Sequence, residues 1–425
     1  MNARGDIEYN GKWHFPEFDI FKQHNLFQDC MGTLYHYKDE NPILEVYHQP
    51  DKAFISNRYC CFNTVWGNDA NGNFFTLFNV NMIKQESLSK TIFSVGYCLV
   101  GENVESIDTP IFNTCSVRFP YLRNWAFKRS RDIKCNDGCI VTNLNIKVGA
   151  PIVKVDLENG ITLSIKSINN HHNTLYETII KEDSILTIKS IEPISIRMFL
   201  KHIYIFKQFL SIALYGEQHP CNINFEINSK EEKISTKLLY KVEESHTPYI
   251  IPLLKFENIS YKVTDVLKKW YCNYEQMSPI CDNLIQSTHR GVFDTPNFLI
   301  IAHALDGYHK RFVNKKDGKD VRQYQQQIEI LLEHFKDIRQ LQECKLDAEI
   351  LAQSRHKYSH LIPDDDEKIQ KAVSGSALFR LTRKAMILLT CCILENLGLT
   401  TDEINNCLDE SVIARFVNTI SIYED

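Results

Sequence analysis

The hydrophobic pattern of this chain differs between its first and second parts along its 425 residues. From about residue 11 to residue 192, apolar and polar residues alternate between turn signals, which is the pattern of half-buried β-strands. From about residue 263 onward, apolar residues recur every three or four positions, as they do in amphipathic helices. Strands followed by helices are typical of an α+β protein, and the length favours two domains. We therefore expect a β-rich domain at residues 1–265 and a helical domain at residues 266–425.

The first part of the chain contains two recognisable hairpins. "GTLYHYKDENPILEVYHQ" alternates on both sides of a polar turn at residues 39–42, and "WGNDANGNFFTLFNVN" alternates around Asn71-Gly72. Further short runs continue at the same spacing, which predicts a sandwich or barrel of mainly antiparallel strands. One helix is embedded among them, because apolar residues recur at helical spacing from Ile196 to Tyr215. Gly216 is placed to end that helix.

The second part of the chain contains four amphipathic segments. Thr295 and Pro296 form a favourable helix start, and Gly398 a favourable helix end. The predicted segments run over residues 295–312, 321–338, 346–361 and 368–397. Four packed helices of this length form an all-α bundle.

The composition limits the classes of function. The net charge is −5 and the pI is near 6.3, so the protein has no global basic field, and nucleic-acid contact requires a local basic patch. The longest apolar runs are interrupted before the roughly 18 to 20 residues that span a bilayer. The N-terminal segment lacks the apolar core of a signal peptide. We expect a cytoplasmic protein that does not contact membranes.

The 14 cysteines are scattered and never show C-x2-C spacing. This usage favours buried free thiols in a reducing compartment. Cys135 and Cys139 are one pair where structural zinc needs four ligands, and His171-His172 has the pattern of a polar turn. We expect neither a metal site nor a cofactor.

The stretch "ILAQSRHKYSHLIPDDD" concentrates basic side chains at Arg355, His356 and His360. At about 100° per residue, Arg355 and His360 lie about 140° apart on an ideal helix. Pro363 ends the helix near His360, and loosening of the last turn would let the imidazole approach the arginine. The alternative is a solvated helix end whose basic groups complement the helix dipole and face the acidic run. Residue chemistry leaves both possibilities open.

A family resemblance favours the first possibility. "RHKYSH" resembles the motif of HEPN domains, in which a histidine follows an arginine by four to six residues near a helix end. "FLIIAHALDGYHKRF" resembles a helix of ApeA-like HEPN domains, with Asp306 where glutamate is commoner. "GKWHFPEF", the first hairpin and "TPIFNTCSVRFPYLRNWA" resemble the ApeA N-terminal domain. Together these stretches cover most of the chain in the family's order.

The resemblance implies an anti-phage, abortive-infection endoribonuclease that cleaves RNA without a metal ion, with tRNA as the favoured substrate. HEPN nucleases are generally dimeric, with Arg and His of two protomers meeting at one site. A homodimer or higher homo-oligomer is therefore expected. The β-rich domain would sense a phage component, such as a phage protein, and control the nuclease.

The resemblance also implies roles for individual residues. His360 would be the general acid/base, since an imidazole with a pKa of about 6.5 exchanges protons near neutral pH. Arg355 would anchor the phosphate and stabilise the transition state, because its planar fork matches phosphate oxygens. His356 and Lys357 are weaker candidates for orienting the site or binding RNA. Asp306 either orients a basic partner across the bundle or is an ordinary surface acid.

Two other classes of function stay open. The first is a non-catalytic HEPN-like module that binds RNA or a nucleotide beside a β-rich ligand-recognition domain. The second is a carbohydrate-binding protein built on the β-rich half, for which the aromatic residues give weak support.

Overall fold

The computed structural model describes residues 7–16, 27–47, 61–87, 89–126, 131–136, 139–144, 151–173, 178–228, 233–245, 251–289, 295–313 and 321–415. The chain forms two compact units, and neither is continuous in sequence. The first takes its described residues from Met1–Pro120, Ser130–Tyr204 and His219–Glu244, and the second from Tyr121–Arg129, Ile205–Gln218 and Ser245–Asp425.

The described residues contain fourteen strands. These are β1 (Ile7–Pro16), β2 (Phe27–His36), β3 (Ile43–Tyr47), β4 (Cys61–Asp69), β5 (Phe74–Ser87), β6 (Lys90–Val100), β7 (Phe112–Arg118), β8 (Arg131–Asn136), β9 (Cys139–Leu144), β10 (Pro151–Asp156), β11 (Ile161–Asn173), β12 (Thr178–Ile194), β13 (Asn222–Asn228) and β14 (Lys233–Leu239). All of their pairings are antiparallel.

Six of these strands close into a barrel. The order β6-β3-β2-β1-β4-β5 returns to its start because β5 also pairs with β6. The barrel interior is apolar and includes Trp13, Phe15, Phe75 and Phe93, all fully buried. A closed ring has no exposed strand edge, so the barrel protects its backbone hydrogen bonds.

The remaining strands extend the sheet beyond the barrel. β14 pairs with the second half of β6, and the order β14-β13-β7-β12-β11-β10 continues from there, while β8 and β9 form a separate hairpin. The predicted sandwich or barrel is therefore a barrel with a six-stranded extension. The turn predicted at His171-His172 is wrong, because both residues belong to β11 and pair with Ile180 and Ile179.

Both predicted hairpins are present. Leu34 of β2 lies opposite Leu44 of β3. In the second hairpin Gly72 has φ +83°. The Asp69 carboxylate accepts hydrogen bonds from the backbone N–H groups of Asn71 and Asn73, each with an N···O distance of 2.9 Å. Asn-Gly is the preferred pair for such turns because it tolerates positive φ.

The embedded helix α2 spans Ile196–Leu214, as predicted. Its end differs by one residue from the expectation. Tyr215, with φ +54°, adopts the left-handed conformation that ends the helix. The Gly216 N–H donates a hydrogen bond to the Ser211 carbonyl at 2.9 Å. The glycine therefore follows the left-handed residue instead of occupying its place.

The other described α-helices all belong to the second unit. They are α1 (Leu122–Trp125), α3 (Phe256–Ile259), α4 (Val263–His289), α5 (Thr295–Tyr308), α6 (Tyr324–His334), α7 (Arg339–Cys344), α8 (Ala348–His360), α9 (Gly375–Asn396) and α10 (Thr401–Asp409). A π-helical turn at His309–Val313 follows α5.

The all-α bundle is confirmed, but the expectation of four helices is too simple. The second predicted segment contains only α6, which ends at His334. Ile338 is extended and caps the start of α7, which lies between the second and third predicted segments. The fourth begins at Gly375 instead of residue 368, and α4 and α10 are additional. The domain boundary between residues 265 and 266 stays a prediction; these residues lie in the first turn of α4.

Helix α5 lies at the centre of the helical unit and packs against α4, α8 and α9. Its apolar stripe is buried at Phe298, Ile301, Ala302, Leu305 and Tyr308, in agreement with the periodicity. Within the described part of the chain, every helix is too short or too polar to cross a bilayer.

Candidate active site

Helix α8 carries the basic cluster and is anchored along its length. The Asp347 carboxylate caps its start by accepting hydrogen bonds from the backbone N–H groups of Glu349 and Ile350. Further along, the buried Ser354 hydroxyl accepts a hydrogen bond from the Val373 N–H at 3.1 Å. The Tyr358 hydroxyl donates a hydrogen bond to the Val373 carbonyl at 3.0 Å. The chain that leaves α8 is thereby tied back to it.

The last turn of α8 is regular, so the loosening expected ahead of Pro363 is wrong. Leu361 adopts the left-handed conformation with φ +52°, and the N–H groups of Leu361 and Ile362 both donate to the Lys357 carbonyl. This closure satisfies the helix end without unwinding it. His360 therefore keeps its helical position.

Arg355 and His360 nevertheless line one cleft of about 520 Å³. Five of its lining residues come from α8, one from α5, and three from the start of α6. The lining residues are His303, Gln323, Tyr324, Gln325, Ala352, Arg355, His356, Ser359 and His360. Among these described lining residues there are three histidines and one arginine but no carboxylate. The cleft is thus a local basic patch on an acidic chain.

The Arg355 guanidinium is held by two groups from other helices. Its Nη2 donates a hydrogen bond to Asp306 Oδ2 at an N···O distance of 3.1 Å. Its central carbon lies 4.5 Å from the centre of the Tyr324 ring. Asp306 also accepts a hydrogen bond from Lys310 over 3.0 Å. Within the described residues, Asp306 is the guanidinium's only hydrogen-bond partner, which leaves donors for an incoming anion. Of the two alternatives for Asp306, the structure shows the carboxylate bound to a basic partner across the bundle.

Tyr324 supports the arginine with its ring and not with its hydroxyl. The side chain is 8% exposed, and its hydroxyl is buried without a hydrogen-bond partner among the described residues. Burial raises the pKa of Tyr324, so the phenol stays protonated. The ring face attracts the guanidinium, and such cation–π contacts contribute about 0.5–2 kcal/mol.

This arrangement predicts opposite results for two substitutions of Tyr324. Tyr324→Phe keeps the ring and removes an unpaired buried hydroxyl, so the free energy of unfolding should stay equal or rise. Tyr324→Leu removes the ring face and should lower the free energy of unfolding by about 1–3 kcal/mol through lost packing and cation–π attraction. Urea denaturation of both variants checks this. Equal losses in both would show that the hydroxyl, and not the ring, matters.

The three imidazoles of the cleft differ in their surroundings. His356 and His360 lie one turn apart on α8, with ring centroids 4.9 Å apart and planes inclined by 64°. His303 comes from α5. Within the described residues none of the three rings has a hydrogen-bond partner. Each ring is therefore available to a ligand.

Lys357 lies outside this cleft. Its Nζ contacts Asp364 Oδ1 over 2.5 Å, and that hydrogen bond raises the pKa of the lysine. Lys357 is therefore an ordinary helix-end lysine that pairs with the acidic run. Arg355 instead pairs with Asp306 of α5.

Comparison with protein families matches both parts of the chain. The family model described as ApeA N-terminal domain 1 matches residues 8–270, which is more than half of the chain. The chain belongs to the ApeA family. The model described as Apea-like HEPN matches residues 299–403. Comparisons with curated proteins and with solved structures gave no match.

The HEPN match assigns the second part to a nuclease family of anti-phage defence whose members are generally ribonucleases. Every residue that lines the cleft falls within residues 299–403 of this ApeA-family chain. The resemblance of "RHKYSH" and "FLIIAHALDGYHKRF" to the family is therefore confirmed. The roles assigned to single residues stay predictions.

Sequence reasoning missed two important residues of the ApeA-family cleft. Tyr324 was counted in the apolar stripe of its helix, because a buried ring gives the same signal whether it supports a core or an arginine. His303 was not singled out, although it precedes Asp306 by one helical turn. That i, i+3 spacing places both residues on one face and is the signal that could have found it.

Metal binding has no support among the described residues, where no group of three or more His, Cys, Asp or Glu side chains is arranged to hold an ion. The side chains of Cys135, Cys139, His171 and His172 lie outside what the structure describes.

Proposed function

We propose that this ApeA-family protein is an endoribonuclease that cleaves RNA in the cleft between α5 and α8 by acid–base chemistry. One observation carries the proposal. Arg355 is held between the Asp306 carboxylate and the Tyr324 ring, in the same cleft as the free imidazole of His360. An oriented cation beside a proton-transfer group is what RNA cleavage requires.

The reaction begins at the 2′-hydroxyl of the substrate. Cleavage at this group needs removal of its proton, delivery of a proton to the leaving 5′-oxygen, and positive charge at the phosphorane. His360 performs a proton transfer, and Arg355 stabilises the phosphorane through the donors that Asp306 leaves unoccupied. The products are a 2′,3′-cyclic phosphate and a 5′-hydroxyl. These steps use side chains of the protein alone, so we propose cleavage without a metal ion.

The lining of the cleft favours a polyanionic substrate. It presents four basic side chains without a described carboxylate, although the whole chain has a net charge of −5. Local positive charge supplies the phosphate attraction that the whole molecule lacks. The volume of about 520 Å³ lies in the range of about 300–1,000 Å³ that is usual for small-ligand clefts. We infer that one or two nucleotides of a single-stranded RNA segment enter it, with tRNA as the substrate.

Two further parts of the proposal rest on the family. We infer that the protein acts in the cytoplasm as a homodimer or higher homo-oligomer, as HEPN nucleases generally do. We also infer that the β-rich part recognises a phage component, such as a phage protein, and controls the nuclease. Light scattering of the purified protein tests the first inference. A binding measurement between the protein and phage lysate fractions, followed by a cleavage assay, tests the second.

The decisive experiment compares RNA ends after induction of the wild type and of His360→Ala. Sequencing should find 2′,3′-cyclic phosphate ends that increase with the wild type and stay at background with the variant. If 2′,3′-cyclic phosphate ends are as abundant in the His360→Ala sample as in the wild-type sample, the proposed chemistry is overturned. RNA that binds the purified wild type and stays intact would instead indicate the non-catalytic binding module.

A further inference from the structure

The hydrogen bond to Asp306 does not by itself fix the guanidinium of Arg355. It is a single contact from Nη2 at an N···O distance of 3.1 Å, and the same carboxylate oxygen also accepts a hydrogen bond from Lys310. A planar group held at one nitrogen can still tilt and swing, because the direction of approach to a carboxylate oxygen varies widely. A second contact is therefore needed to aim the remaining donors at a ligand.

The ring of Tyr324 supplies that second contact, on the face of the guanidinium. The central carbon of Arg355 lies over the ring, 4.5 Å from its centre. A contact on the face resists tilting of the plane, whereas the hydrogen bond to Asp306 fixes the position of one nitrogen. The two contacts come from different helices and restrict different motions. Together they define one orientation of the guanidinium.

Tyr324 is itself held at the start of α6. Its side chain is buried, and α6 packs against α5 and α8. The buried Gln327, one turn later, donates a side-chain hydrogen bond to the Val321 carbonyl at 2.9 Å, and its backbone N–H donates to the Gln323 carbonyl at 3.1 Å. These bonds close the helix start around Tyr324. The ring is therefore a fixed support for the arginine.

The open donors of Arg355 lie along one edge of the guanidinium. Nε is buried without a hydrogen-bond partner among the described residues, so it is closed to a ligand. Nη2 uses one N–H group for Asp306. The second N–H group of Nη2 and both N–H groups of Nη1 remain, and they share an edge of the planar fork. Such an edge matches two oxygens of a phosphate.

Resting on the ribonuclease function above, we propose that Tyr324 is a positioning residue of the reaction. Its ring holds the guanidinium of Arg355 so that the edge formed by Nη1 and Nη2 meets the substrate phosphate. Tyr324 acts through Arg355 and does not touch the reacting atoms. Because both residues belong to one protomer, each protomer of a site shared by two chains carries its own copy of this support.

The test is a double-mutant cycle on single-turnover cleavage of an unstructured RNA oligonucleotide by the full chain. Tyr324→Phe keeps the ring and should cleave within about twofold of the wild type. Tyr324→Leu removes the ring face and should cleave about 100-fold more slowly, because small misplacements of a catalytic group are costly in rate. In an Arg355→Ala background, Tyr324→Leu should add little further loss, since residues that act as one unit are not additive.

Ile328→Val is the matched control for stability. It removes a buried methyl group from α6, one turn after Tyr324, and Ile328 does not line the cleft. This variant should keep the wild-type rate. Thermal unfolding of every variant is recorded alongside, and rates are compared at a temperature at which each variant is folded. A slow Tyr324→Leu under these conditions reflects the orientation of Arg355 and not unfolding.

Sulfur substitution at the scissile phosphate gives a second readout. Sulfur accepts hydrogen bonds more weakly than oxygen, so replacement of a non-bridging oxygen should slow cleavage by the wild type and by Tyr324→Phe. The slowing should be smaller in Tyr324→Leu and in Arg355→Ala, which no longer direct donors at those oxygens. A purely structural role of Tyr324 would leave the effect of sulfur unchanged.

The outcomes distinguish the two proposals. If Tyr324→Leu cleaves at the wild-type rate while His360→Ala is inactive, the role of Tyr324 is overturned and the ribonuclease function stands. The role is also overturned if Tyr324→Leu slows cleavage by the same factor with and without Arg355, or if sulfur has equal effects in all variants. If His360→Ala cleaves at the wild-type rate, the proposed chemistry itself fails.

Discussion

His360→Ala is expected to reduce RNA cleavage by about 100- to 10,000-fold with little change in stability, and Arg355→Ala by about 100- to 1,000-fold with a loss of about 0.5–2 kcal/mol from the cation–π contact with Tyr324. The imidazole of His360 is exposed and has no described hydrogen-bond partner, so its removal leaves no buried group unsatisfied. Removal of Arg355 leaves Asp306 with Lys310 as a partner at 3.0 Å. For His360→Ala the loss should therefore appear in the chemical step and not in folding, whereas thermal unfolding of Arg355→Ala should also show the lost cation–π contact.

Arg355→Lys tests the geometry behind this expectation. A lysine keeps the positive charge but not the planar fork, so it cannot contact Asp306 and a phosphate with separate, fixed donors. We expect Arg355→Lys to recover little of the lost rate. Single-turnover cleavage with thermal unfolding checks all three variants. Lys336→Ala, which removes an exposed lysine just after α6, and His334→Gln are the matched controls. Full activity in Arg355→Lys would show that charge alone suffices.

The site could be predicted only in part because its components are far apart in sequence. Arg355 and His360 share one short motif, and family resemblance locates such a motif well. The contacts that aim the arginine come from α5 and α6, at separations of 49 residues for Asp306 and 31 for Tyr324. No periodicity within α8 contains that information. Regular spacing alone placed Arg355 and His360 apart, whereas in the structure both line one cleft.

The ends of the helices could also be predicted only in part from the sequence. Gly398 was expected to end α9, and it has φ +91° with the Leu399 N–H donating to Leu394. Tyr215 and Leu361 hold the same left-handed position although their side chains disfavour it by about 1–2 kcal/mol. In both cases the following chain is tied back to its helix, because the Gln218 N–H donates to the Ser211 hydroxyl of α2 and the Val373 N–H donates to the Ser354 hydroxyl of α8. Sequence predicts a left-handed end from glycine and has no signal for it elsewhere.

In the β-rich part, too, only the local pairings could be predicted from the sequence. The two hairpins are local pairings, so alternation and the Asn71-Gly72 turn predicted them. Closure of the barrel depends on β1 pairing with β4, and the extension depends on β6 pairing with β14, which lies more than 130 residues later. Such pairings leave no local pattern. Alternation therefore predicted a sandwich or a barrel without deciding between them.

One consequence of barrel closure is a strong packing constraint between Trp13 and Gly67. These residues lie opposite each other in β1 and β4. A Cβ added at Gly67 would be 2.3 Å from Trp13 Cε3, because the fully buried indole ring covers the glycine. Gly67→Ala should therefore destabilise the barrel by about 1–3 kcal/mol through overpacking.

A double-mutant cycle tests whether the indole ring is the cause. In a Trp13→Leu background the added methyl group meets a smaller side chain, so the cost of Gly67→Ala should largely disappear, giving a coupling of about 1–3 kcal/mol. Gly72→Ala is the matched control, since Gly72 has φ +83° and open space within 4 Å. Its penalty arises from the backbone alone and should be equal in both backgrounds. Hydrogen exchange of the β1 and β4 amides measures the barrel directly. A Gly67→Ala cost that is unchanged by Trp13→Leu would mean that the backbone of β4, and not the indole ring, requires the glycine.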